Sequence, residues 1–178
     1  MENRRSFIKK SGLFMAATSL PMSACVNRLD QEDTDPQTTK NVNVILLVDT
    51  AKVNDFDKNK LGKYCRFTDQ RQGMPIEDFT IYPNVGDTVT WIGLSRSSPT
   101  DEVYIRKVIR RSGTDVFDMP VLEDKDVPGK VTGKIITKTE EGLLDNEQVK
   151  KDYKYKLQFT VNNHPAVYNI DPKIQVNQ

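Results

Sequence analysis

Asp55-Phe-Asp57-Lys-Asn59 sets three oxygen-bearing side chains at alternate positions, the spacing with which a calcium loop opens. An EF-hand continues with glycine at the sixth position and a bidentate glutamate at the twelfth. Those positions hold Lys60 and Arg66, so an EF-hand is excluded. A looser calcium site at Asp55, Asp57 and Asn59 is the weak metal candidate, set against a solvated polar loop. Leu122-Glu-Asp-Lys-Asp126 is a similar acidic loop with a lesser claim. Thiol chemistry is as restricted. Cys65 would need a histidine partner to serve as a nucleophile, and His164 is the one histidine in the chain. Nothing in the spacing brings the two together, and a lone cysteine in a folded domain is ordinarily a small buried hydrophobe. Many acids are present, yet no spacing singles out a carboxylate pair. The chain has no glycine-rich phosphate loop, no GxSxG and no zinc-type cluster. The expectation is a protein without catalytic residues or cofactor.

The N-terminus carries a different kind of information. Arg4, Arg5, Lys9 and Lys10 precede an uncharged run from Ser11 to Ala24 that contains Leu13, Phe14, Met15 and Leu20. Positive n-region, short apolar region and small residues before a cleavage point make a secretory signal. Gly12, Ser19 and Pro21 interrupt the run, which is too short for a permanent membrane helix. Arg4, Arg5, Phe7 and Lys9 fall where the twin-arginine export signal has them, with Ile8 where leucine is usual. Met22-Ser23-Ala24-Cys25 resembles a bacterial lipobox, with methionine in place of the usual leucine. Lipidation of Cys25 would anchor the chain, since each buried methylene contributes about 0.8 kcal/mol and two or more acyl chains hold stably. Residues 25–40 are polar and acidic, as a flexible tether is. The layout expected is a signal peptide over 1–24, a lipidated tether over 25–40 and one domain over 41–178. Its partners would be the twin-arginine translocase during export and then the membrane, placing it in the bacterial cell envelope, facing the periplasm or the cell surface.

Charge narrows the partners of that domain. Removing residues 1–24 takes four basic residues and one acidic residue from 26 and 25, leaving 22 against 24 and a net charge of −2. No concentrated basic face asks for nucleic acid. The cluster Arg106, Lys107, Arg110 and Arg111 lies in an alternating segment and reads as a solvated strand face.

These residues must be positioned by strands, because the apolar pattern has a period of two. In Tyr153-Lys-Tyr-Lys-Leu-Gln-Phe-Thr-Val161, five apolar residues share one face and Lys154, Lys156, Gln158 and Thr160 take the other. Val85, Val89 and Trp91 repeat the device, and this puts Trp91 toward the core rather than on a sugar-stacking surface. Val42–Val48 is nearly continuous in apolar residues and is expected to be buried on both faces, or nearly so. Further strands are expected over 65–68, 78–82, 103–109, 131–139, 166–170 and 173–176, with turns at Pro83-Asn84, Ser98-Pro99, Ser112-Gly113 and Pro128-Gly129. A helix fits only residues 140–151, or briefly the residues after Thr50. Eight or nine short strands give an all-β antiparallel sandwich.

Val42-Asn-Val-Ile-Leu-Leu-Val-Asp49-Thr50 resembles the opening strand of the bacterial inclusion-body proteins typified by PixA and AidA. Val85-Gly86-Asp87-Thr88-Val89 is similar to their central strand, Gly113-Thr-Asp-Val-Phe117 to the segment after it, and Tyr168-Asn-Ile-Asp171-Pro172-Lys173-Ile174-Gln-Val176 to their final strand with its aspartate-proline turn. The resemblance implies a β-sandwich without established enzymatic activity, and it brings no catalytic residue. Those proteins are best known as soluble or intracellular, whereas this chain carries an export address. Residues 85–91 also resemble a cupredoxin strand, but a blue-copper centre needs two histidines and a cysteine, and this chain has one histidine.

The leading expectation is a membrane-anchored lipoprotein whose sandwich binds a glycan or an envelope protein. A carboxylate-based hydrolase of envelope polysaccharide and a self-assembling structural protein, the latter a homo-oligomer, stand as alternatives.

Overall fold

The computed structural model describes residues 38–57, 60–113, 115–136 and 152–177. The export residues Arg4, Arg5, Phe7 and Lys9, the lipidation site Cys25, most of the tether, Asn59 and the expected helix over 140–151 lie outside them. The described residues all fall within one compact unit, Gln37–Gln178.

Ten strands are present among the described residues: β1 (Asn41–Val48), β2 (Cys65–Phe67), β3 (Thr80–Ile81), β4 (Thr88–Ser95), β5 (Val103–Ser112), β6 (Val121–Glu123), β7 (Lys130–Lys134), β8 (Tyr153–Val161), β9 (Tyr168–Ile170) and β10 (Lys173–Ile174). Four form one sheet in the order β2-β1-β4-β7, and six form the other in the order β3-β10-β8-β5-β6, with β9 also on β8. The two sheets make an all-β sandwich, as expected.

The expectation of purely antiparallel pairing needs correction. β1 runs parallel to β4 along eight register pairs, from Asn41 opposite Thr88 to Val48 opposite Ser95. β10 is likewise parallel to β3. The chain leaves β1, turns back through β2, crosses to the second sheet for β3 and returns as β4 beside its starting strand. An alternating pattern records which face of a strand is buried, not the direction of its neighbour.

Period-two patterning sets the core. In β8, Tyr153, Tyr155, Leu157, Phe159 and Val161 are all buried, as are Val89 and Trp91 of β4. β1 departs from expectation: Val44, Leu46 and Val48 are buried, but Ile45 and Leu47 on its outer face are only half-buried. The aspartate-proline turn has a clear physical effect. Pro172 has no N–H to give, so the final strand splits into β9 and β10 around it, while the Pro172 carbonyl still accepts from Tyr155 N–H at 3.2 Å.

The helix expected after Thr50 is a 3-10 turn, Thr50–Asp55, and two further 3-10 turns cover Leu61–Lys63 and Ile76–Asp78. These two, on either side of β2, frame the surface described next.

Candidate functional site

Alternation in β2 dictates where its arginine goes. Cys65 and Phe67 are buried, so Arg66 between them must face solvent. Residues on both sides are pinned to the core. Leu61 in the first turn and Ile76 in the second are buried, and Phe67 stacks on Phe79 with ring centroids 4.2 Å apart. Between them the chain makes a fixed loop. The Gln70 side chain accepts from Phe67 N–H at 3.0 Å and donates to the Met74 carbonyl at 2.7 Å, while Met74 N–H donates to Arg71 O at 3.1 Å. Gly73 closes the loop at φ +80°, a left-handed conformation that other residues adopt only with strain.

The result is an open groove of about 530 Å³ between Lys60 and Glu77, with Gly62, Met74, Pro75 and Ile76 among its lining residues. Four cations line it, Lys60, Lys63, Arg66 and Arg71, against one carboxylate, Glu77. Lys60 lies 3.7 Å from Asp57 across exposed side chains, a pairing worth little in water. Lys63, Arg66 and Arg71 have no ion pair among the described residues.

The other basic cluster is largely paired. Read as a solvated face on β5, it is part-exposed there, and three of its four members, all but Arg111, meet acids from β6 and the loops beside it. Arg106 meets Asp124 at 3.1 Å, Lys107 meets Glu123 at 2.8 Å and Arg110 meets Asp115 at 2.8 Å. The acidic loop around Glu123 and Asp124 thus has its role in these pairs, and the Lys107 ammonium holds the Glu123 carboxyl below its usual range.

A second polar cluster sits where β1 ends. The buried Thr50 hydroxyl donates to Asp101 Oδ2 at 2.6 Å and lies 2.7 Å and 2.9 Å from the Ser95 and Ser97 hydroxyls. Asn162 closes it, donating from Nδ2 to Asp101 Oδ1 at 3.1 Å and accepting from Glu102 N–H at 2.7 Å. No imidazole takes part, and every bond joins one chain segment to another, so the cluster ties the β4–β5 loop to the ends of β1 and β8.

The other sequence candidates are placed as follows. Asp55 ends the Thr50–Asp55 turn and Asp57 follows it; both are exposed, with Lys52 4.0 Å from Asp55. No group of three or more His, Cys, Asp or Glu side chains among the described residues is arranged to hold a metal ion. Burial pushes the Cys65 thiol up to about 12, the opposite of what a nucleophile needs. His164 Nδ1 stands 3.0 Å from the Tyr168 hydroxyl and accepts from Ala166 N–H at 3.3 Å. It serves as part of an aromatic group with Tyr168 and Phe56. Trp91 is fully buried, as its strand position required.

Sequence reasoning missed the groove. A signal was available: residues 58–75 hold Lys58, Lys60, Lys63, Arg66 and Arg71 against Asp69 alone. Residues 41–178 carry 20 basic and 20 acidic residues, and this zero balance hid the local excess.

No family model matches the chain, and no curated protein matches its sequence. Among solved structures, the fold is similar to that of an inclusion body protein, PixA, from Burkholderia cenocepacia, with a TM-score of 0.52. The match covers 80% of this chain and 98% of that one at 11% identity, so it is a likeness of fold. The architecture implied by the residues from Val42 to Val176 is the one observed.

Proposed function

We propose that this chain is an exported lipoprotein, anchored through Cys25, whose β-sandwich is a non-enzymatic binding domain with the groove between Lys60 and Glu77 as its binding surface. The groove carries this reading. Its volume of about 530 Å³ lies within the roughly 300–1,000 Å³ usual for ligand sites. Its walls are tied to the core, and three of its charged side chains have no ion pair among the described residues. A glycan or a segment of an envelope protein suits a surface this open and polar.

The alternative of glycoside hydrolysis requires two carboxylates, roughly 5–10 Å apart, flanking the scissile bond. The groove lining offers Glu77 alone. Self-assembly would follow the inclusion body protein that shares the fold, but a fold hosts many functions and does not bring one with it.

Gly62→Trp tests the reading. A Cβ on Gly62 would meet the Ile76 Cγ2 methyl at 3.7 Å, an ordinary contact, and the indole would occupy the groove. The expected result is lost binding to an array of envelope glycans and envelope proteins, with the melting temperature retained. Unchanged binding by the Gly62→Trp chain would remove the groove as the site.

A further inference from the structure

We infer that the ligand of this groove is anionic, bearing at least two phosphate, sulfate or carboxylate groups; this rests on the groove being the binding surface. The first ground is the charge balance of the groove, whose lining holds four cations against the one carboxylate of Glu77. Lys63, Arg66 and Arg71 have no ion pair among the described residues and share this concavity with Lys60. Like charges lining one concavity repel one another and are relieved by an anion.

The second ground is placement. Arg66 projects from a strand whose neighbours Cys65 and Phe67 are fixed in the core, and Arg71 sits on the loop clasped by Gln70. Their backbones are therefore set before a ligand arrives, which lowers the ordering cost of binding. Guanidinium groups match the two oxygens of a carboxylate, sulfate or phosphate in a way that ammonium groups do not. Two arginines with two flanking lysines suit separated charges on one ligand rather than a single small ion.

The experiment measures binding of the unlipidated Cys25→Ser chain at low salt to two anionic probes, a sulfated heparin oligosaccharide and phosphatidylglycerol vesicles. Maltohexaose and phosphatidylcholine vesicles are the neutral counterparts. Arg66→Ala and Arg71→Ala should each weaken anion binding about tenfold. Lys125→Ala removes the same charge from a loop outside the groove and should leave binding unchanged. Binding should also fall as ionic strength rises, because exposed charges are screened beyond about 8 Å at physiological salt. Heparin binding with these properties identifies a soluble polyanion as the source of the charge; binding confined to the vesicles identifies a lipid headgroup. Either supports the inference. It is overturned if neither anionic probe binds, if the arginine variants bind as tightly as the parent, or if the neutral probes bind equally well. Maltohexaose bound without the anions, and lost in Gly62→Trp, would overturn the anionic ligand while leaving the groove as the binding surface.

Discussion

The indole Nε1 of Trp91, on β4, donates a hydrogen bond at 3.0 Å to the phenol oxygen of Tyr155, on β8. The two rings belong to different sheets, both are fully buried, and their centroids lie 5.6 Å apart at an interplanar angle of 68°. This bond gives the Trp91 N–H its acceptor inside the core and links the two sheets.

Tyr155→Phe removes the acceptor and leaves the Trp91 N–H buried without a partner. The expected cost is about 1–3 kcal/mol, read as a lower denaturant midpoint at an unchanged m-value. Trp91→Phe in the Tyr155→Phe background should cost less than it does alone, because it removes the donor that Tyr155→Phe left without a partner. Additive losses would show that the bond contributes nothing beyond packing.

Asp87 is a buried carboxylate whose oxygens accept from Lys40 N–H and Asn84 N–H, both at 2.8 Å. These two amide bonds hold its pKa below the ordinary carboxylate range. The folded state therefore favours the ionised form. Its contribution is complete above the unfolded pKa of about 3.9 and is lost as pH falls through the lower folded value. Asp87→Asn should lower the melting temperature at pH 7 by about 3–5 °C and flatten the acid limb of the stability profile. An acid limb identical to the parent's would show that Asp87 does not couple to folding.

Cys65 should be unreactive in the native state. Its thiol is buried and its pKa is pushed to about 12 by that burial, so little thiolate forms near neutrality. In a chain carrying Cys25→Ser, iodoacetamide at pH 8 should label Cys65 only after denaturant is added. Stability should also decline as pH rises above the unfolded thiol value of about 8.5, because the folded state resists ionisation. Rapid native labelling would mean that the strand opens locally.

Export and anchoring are testable in cells. Arg4→Lys with Arg5→Lys should keep most of the protein in the cytoplasm. Cys25→Ala should abolish incorporation of labelled palmitate and release the protein from the membrane fraction. Palmitate labelling that survives Cys25→Ala would place the lipid elsewhere, and a parent chain that takes up no label would remove the lipid from the account.

The parts of the fold legible in the sequence are those governed by local alternation. Tyr153 to Val161 announced its buried face residue by residue, and Trp91 was assigned to the core from two neighbours. The parallel pairing of β1 with β4 was not legible, because side-chain alternation is the same whichever way the partner strand runs. β6 was missed for a related reason. It has three residues with one inward side chain, Leu122, and its Glu123 and the adjacent Asp124 read as a loop until β5 is laid alongside them. The candidate site was the least legible feature. Lys63, Arg66 and Arg71 come from a turn, a strand and a loop, and the burial of Leu61 and Ile76, the clasp of Gln70 and the stacking of Phe67 on Phe79 bring them to one surface.

The most direct test of the groove as the binding surface is an amide NMR titration of the chain with polysaccharide purified from the native envelope. Shift changes should concentrate in residues 60–77 and be abolished by Gly62→Trp. Changes centred on Thr50, Asp101 and Asn162, or on the β5–β6 surface, would contradict this and move the site to another face of the sandwich.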